Sequence, residues 1–283
     1  MPSMKALSRR IVSVSNTQQI MKAMNLVAAS KVQKYKSKME AVRPFFGQAQ
    51  NFLADGIHME DVNDHIFFTP RKTGRAVYVV MCGERGLCGS YNANILKAAF
   101  ADMERDTSRN IEIIAVGAKC REYFVRRNKK VIENYDGVLE NPTYSVASAI
   151  AQSLATMYTT DNESERIDEI YVAYTQFETL LSHNPSVIPL LPFEPKPAKE
   201  EVIYEPNIDT YLRKAVPEYL AMYIFGAMVD AGVCEQASRM TSMDAAASNA
   251  GDIVDDLKLQ YNRQRQGVIT QEISEIVSGA NAI

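Results

Sequence analysis

The chain has 283 residues, with 31 basic and 34 acidic side chains giving a net charge of −3. That length accommodates about two domains with buried cores. A composition of 46% hydrophobic and 23% charged residues excludes wholesale disorder, and the acidic balance argues against a dedicated nucleic-acid binder. The four cysteines, Cys82, Cys88, Cys120 and Cys234, form no C-x-x-C pair. They read as free thiols of a reducing compartment. No signal peptide is expected. The most apolar window, 215–234, carries Glu218, Asp230, Pro217 and Gly226, so no transmembrane segment is expected either.

The first element is a long helix over about 3–55. Leu7, Ile11, Val14, Met21, Met24, Ala28, Val32, Tyr35, Met39, Val42 and Phe46 recur mostly at steps of three, four and seven, and Ser3 is the candidate N-cap. Such a narrow stripe suits a coiled-coil seam better than a globular core face. No acidic residue occurs before Glu40, while Lys5, Arg9, Arg10, Lys22, Lys31, Lys34, Lys36 and Lys38 make the helix basic. An acid-poor N-terminus also suits a transit peptide, but the helical pattern runs through it without a break.

The middle segment alternates. Strands are expected at 76–81, 111–116, 131–135 and 169–177, with helices at about 92–105, 121–127 and 144–158. This alternation implies a mainly parallel sheet with helices on its faces. The stretch 184–199, punctuated by Pro185, Pro189, Pro192, Pro195 and Pro197, is expected to be an extended exit. A second long helix then runs from about Ile208, continuing beyond Pro217 to about Ala280. Its seam is Met243, Ala247, Ala250, Val254, Leu257, Tyr261, Gln264 and Val268, in steps of four and three. Near the end a second stripe, Ile269, Ile273, Ile276 and Ala280, makes the tip apolar over a wider arc than one partner helix covers. The expected organisation is an N-terminal coiled-coil helix over 1–60, a Rossmann-like α/β domain over 70–195 and a C-terminal coiled-coil helix over 208–283. The two terminal helices pair antiparallel, with the α/β domain at their side.

Candidate chemistry is sparse. The turn C-G-E-R-G-L-C-G-S-Y-N, 82–92, joins a strand to a helix, as phosphate loops do. Its spacing is G-x-x-G-x-x-G, no Lys-Ser/Thr pair closes it, and Gly117-Ala118-Lys119 lacks an acid for a ribose. A tight turn with close backbone approach is the better account. Cys88-Gly89-Ser90 with His183 and Asn184 lacks a cysteine-protease signature, since Tyr91 stands where the second Cys belongs. His58, Glu60, Asp61, Asp64 and His65 lack zinc-motif spacing and suit an exposed acidic linker. Met21, Met24, Met240 and Met243 are seam residues before anything else. No catalytic, cofactor-binding or metal-binding set is expected.

Three blocks carry a resemblance. They are R-R-I-V-S-V-S-N-T-Q-Q-I-M-K-A-M-N-L-V-A-A-S-K, E-R-G-L-C-G-S-Y-N, and S-R-M-T-S-M-D-A-A-A-S-N-A followed by L-K-L-Q-Y-N-R-Q-R-Q-G-V-I-T-Q-E-I-S-E-I-V-S-G-A. In this order they resemble the gamma subunits of bacterial F-type ATP synthases across nearly the whole chain. The departures are Cys82-Gly83-Glu84, where the family usually has Ser-Asp, and Gly267, where Ala is usual. The resemblance implies a non-catalytic central-stalk rotor, one copy per complex, on the cytoplasmic face of the cell membrane. It implies alpha and beta subunits of the head, the epsilon subunit and the c-ring as partners, and nucleotide chemistry in the beta subunits. It implies rotor–stator coupling through Met24, Arg239, Arg265, Gln266, Thr270 and Glu272. Two other classes stand beside it: a nucleotide-dependent α/β enzyme with helical dimerisation arms, and a plain coiled-coil scaffold.

Overall fold

A computed structural model describes residues 3–55, 65–71, 74–106, 108–194 and 207–280 of the chain. The side chains of 45–55 and 279–280 are not among those described, so Phe46 and Ala280 fall outside, as do His58, Glu60, Asp61, Asp64, Pro195 and Pro197. The elements in order are α1 (Met4–Asp55), β1 (Arg75–Met81), α2 (Tyr91–Met103), β2 (Asn110–Val116), α3 (Ala118–Val125), β3 (Lys130–Tyr135), a 3-10 turn (Val138–Glu140), α4 (Tyr144–Thr159), β4 (Glu169–Phe177), β5 (His183–Leu191) and α5 (Ile208–Ala280). They form two compact units, one of residues 1–29 with 239–283 and one of residues 30–238.

The first unit is an antiparallel pair of helices. On α1, Leu7, Ile11, Val14, Gln18, Met21, Asn25 and Ala28 are the less exposed positions, stepping by four and three. On α5 the matching seam is Met243, Ala247, Ala250, Val254 and Leu257, all buried. Alanines at 247 and 250 allow the backbones to approach closely. Side chains cross the seam to main-chain carbonyls: Gln18 Nε2 donates to Ala247 O at 3.1 Å and Asn25 Nδ2 donates to Met240 O at 2.9 Å. In both ties the two residue numbers sum to 265, which fixes the antiparallel register. The expectation named Met24 as a seam residue and passed over Gln18 and Asn25. The heptad position belongs to Asn25, with Met24 half-buried beside it. A count of apolar residues skips a polar side chain whose amide is satisfied by a backbone carbonyl.

The second unit is built on a five-stranded sheet of order β3-β2-β1-β4-β5. The pairs β1·β2, β2·β3 and β1·β4 are parallel. Residues of β1 alternate between two cores. Ala76, Tyr78 and Val80 pack with Ile95, Leu96 and Ala99 of α2 and with Cys120 and Phe124 of α3. Val77, Val79 and Met81 pack with Ile150 and Leu154 of α4 and with Leu212, Val216 and Leu220 of α5. That two-residue period, with apolar residues on both faces, is what a parallel strand covered by helices requires.

The Pro-punctuated stretch is more than an extended exit. Residues 183–191 form β5, antiparallel to β4, with Pro185 opposite Thr175 and Pro189 opposite Tyr171. β5 is the last strand of the sheet, so a residue lacking an N–H is tolerated there. Within the same unit, Tyr35 and Met39 of α1 pack on Val229 and Val233 of α5. Gly232 makes the room, since a Cβ there would lie 2.6 Å from the Tyr35 ring. The Tyr35 hydroxyl donates to Leu139 O at 2.6 Å.

Candidate coupling surface

In the helical-pair unit, α1 carries Lys5, Arg9, Arg10 and Lys22 in exposed positions. Val12, Ile20, Leu26 and Val27 are also exposed on its outer side. The unit therefore presents a basic, partly apolar α1 face, and α5 carries exposed Asp244, Asp252, Asp255 and Asp256.

The register places Met24 level with Thr241 of α5 and Arg239 within one turn of it, so these two candidates share one level of the pair. Both are half-buried. Arg265, Gln266, Thr270 and Glu272 are elsewhere. Their α1 counterparts would precede the helix start at Met4, so they lie on a single-helix overhang. They are about 36–47 Å along α5 from the Thr241 level, at 1.5 Å per residue. All four are exposed.

Helical spacing sorts the overhang into two adjoining rows. Arg265, Ile269, Glu272 and Ile276 form one, and Gln266, Thr270, Ile273 and Val277 form the next. Each row interleaves polar groups with exposed aliphatic ones, Ile276 being 71% exposed and Ile273 56%. Such a surface on one helix has apolar area to bury and fixed hydrogen-bonding groups to orient a neighbour. The Thr270 hydroxyl donates to Gln266 O at 2.8 Å, so it is turned back onto its own helix. Arg265 and Gln266 carry the freer donors of the four types. Gly267 interrupts neither row, and a Cβ there would meet nothing within 4 Å.

The turn after β1 in the α/β unit is built differently. The Gly83 N–H donates to Asn92 Oδ1 at 2.7 Å, and a Cβ on Gly83 would lie 2.9 Å from that oxygen and 3.0 Å from the Glu235 carboxylate. The close backbone approach expected of this turn is thus present. Glu84 accepts from the Ala118 N–H at 3.0 Å and the Gly137 N–H at 2.7 Å. Its carboxylate holds the start of α3, filling the place an anion would take at a helix N-terminus. Burial pushes the Glu84 carboxyl above its usual range, against the lowering effect of those two N–H groups. Neighbouring thiols are sequestered too. Cys82, Cys88, Cys120 and Cys234 are all buried, and burial pushes the Cys82 and Cys234 thiols up, which leaves little of the nucleophilic thiolate.

Comparison with known proteins agrees with this layout. The ATP synthase family model matches residues 3–283. The ATP synthase gamma chain of Alkaliphilus metalliredigens is 37% identical over 290 residues, covering 99% of this chain and 98% of that one. The chain belongs to the ATP synthase gamma-chain family. The gamma chain of Desulfitobacterium hafniense is likewise 37% identical over 285 residues, covering 100% of both chains. Among solved structures, a chain of the Euglena gracilis mitochondrial ATP synthase assembly of OSCP, F1 and c-ring shares the fold with a TM-score of 0.72 at 14% identity, covering 99% of this chain and 94% of that one. A chain from the central stalk and c-ring of Tetrahymena thermophila mitochondrial ATP synthase gives 0.62 at 23% identity, covering 80% and 99%. In chain order, two long helices bracket one α/β sheet. No helix among the described residues is long and apolar enough to cross a membrane.

Proposed function

We propose that this gamma-family chain is the central rotor of an F-type ATP synthase, linking rotation of a membrane c-ring to conformational change in catalytic beta subunits. The observation that carries the reading is the overhang of α5. A soluble chain that leaves Ile269, Ile273, Ile276 and Val277 exposed on one unpaired helix has surface made for a surrounding partner. A sleeve of alternating alpha and beta subunits offers that partner, and its symmetry permits the tip to turn within it.

The chain itself is non-catalytic in this reading. ATP is made and hydrolysed in the beta subunits, and the chain carries no nucleotide, cofactor or metal of its own. Its role is to interact unequally with equivalent sites, since a ligand or neighbour shifts a conformational equilibrium only by its differential affinity for the states. Arg265 and Gln266 would grip one head subunit at a time. A charge-assisted hydrogen bond contributes about 1.5–3 kcal/mol, roughly tenfold or more in a two-state ratio. Met24 and Arg239 would act at the level where the basic α1 face meets acidic lever loops of the beta subunits. Thr270 and Glu272 would add contacts on the tip. The epsilon subunit and c-ring would complete the rotor, with one gamma chain per complex, at the cytoplasmic face of a bacterial membrane.

The test is the double variant Arg265→Ala with Gln266→Ala. Circular dichroism of the chain should be unchanged, because both side chains are exposed. ATP turnover or assembly of the reconstituted complex should fall. Unchanged turnover and assembly would make these residues a solvated face.

A further inference from the structure

Apolar seams hold two helices together but resist small sliding and twisting only weakly, because burial is non-directional. Directional bonds across the seam do fix them. Gln18 and Asn25 supply two of them: both occupy heptad positions and donate to α5 carbonyls two turns apart, Ala247 O at 3.1 Å and Met240 O at 2.9 Å. Both carbonyls lie inside the α5 helix, so each tie adds a second donor to an oxygen already facing the helix's own N–H four residues on. For Ala247 that N–H belongs to Gly251. A Cβ on residue 251 would lie 2.8 Å from Gln18 Nε2. The glycine therefore opens the Ala247 carbonyl to the Gln18 amide. Otherwise it sits badly there, since glycine is the residue an uninterrupted helix tolerates least after proline.

We propose that Gln18, Asn25 and Gly251 are positioning residues that tie α1 to α5 against sliding and unwinding, so that torque passes through the pair without being absorbed by it. A polar side chain at a coiled-coil core position specifies register at some cost in stability. The ties act on geometry more than on stability, which separates this role from ordinary packing. The torque clause rests on the rotor reading above, while the geometric claim stands on the isolated chain.

The experiment uses the full chain with spin labels on cysteines introduced at positions 19 and 248. Both positions are exposed, and the four native cysteines are buried. Two variants are compared with the parent. Gln18→Leu with Asn25→Leu removes both ties. Gly251→Ala displaces only the Gln18 amide, whose flexible end can swing away, and keeps the helix. In each, the melting temperature should stay at or above that of the parent while the interspin distance distribution broadens. A distribution as narrow as the parent's in both variants would overturn the proposal. So would broadening accompanied by a lowered melting temperature, which is the signature of lost packing alone. In the assembled complex, the angular spread of a particle carried by the rotor should widen while ATP hydrolysis continues. If even the parent chain fails to join a complex, the rotor reading fails and the spin-label result still decides the geometric claim.

Discussion

Asp230 shows how one residue ties the folding of the α/β unit to pH. It lies on α5 beside a cavity of about 240 Å³ lined by Met39, Val42, Tyr174, Phe177 and Val229, among others. Burial pushes its carboxyl from 3.8 up to about 6, against the lowering influence of Arg43 on α1 and of the Phe177 N–H on β4. Glu178, just after β4, also lines the cavity, and Tyr174, Tyr223 and Cys234 are close enough to feel the Asp230 charge. A carboxyl whose pKa rises on folding binds its proton more tightly in the folded state. Its stabilising contribution is therefore whole below pH about 4 and is lost as the pH rises through about 6. Asp230→Asn keeps an acceptor for the Phe177 N–H and removes the buried charge. The variant should exceed the parent in stability at pH 7.5 by on the order of 2 kcal/mol, with the gap closing below pH 4. Urea titrations at several pH values measure this, and a gap independent of pH would show that folding does not raise the pKa of this carboxyl.

At the scale of elements, the coiled-coil seam of α5 was legible because burial there follows a strict heptad, from Met243 to Leu257. The seam of α1 was half legible, since Gln18 and Asn25 hide among polar residues and declare themselves only through α5 carbonyls. The parallel strands were legible from continuous apolar runs. β5 was not, because Pro185 and Pro189 argue against a strand until its place at the sheet edge is known. The overhang was visible as a second apolar stripe. That Arg265 and Gln266 are interleaved with this stripe follows only once the register shows where α1 stops. Glu84 at the start of α3 had no sequence signal, because its partners are backbone N–H groups 34 and 53 residues away. The register itself is testable. Met24→Cys with Met243→Cys should cross-link readily with a short reagent, and Leu7→Cys with Met243→Cys should not. The reverse pattern, seen on gels of the full chain, would mean that the helices pair in another register.

For the molecule as a whole, membership of the gamma-chain family and the exposed α5 tip converge on one account. In the proposed reading the chain presents different faces to equivalent neighbours, and that asymmetry converts turning into conformational change. The basic α1 face and the interleaved rows of the α5 tip are the two surfaces proposed for that role. The most direct test assembles the chain with alpha and beta subunits fixed to a surface. A particle is attached through Leu181→Cys, a side chain 83% exposed in the β4–β5 connection. On addition of ATP the particle should rotate in one direction, pausing at positions set by the beta subunits. ATP hydrolysis with the particle stationary, or moving without preferred direction, would contradict the account.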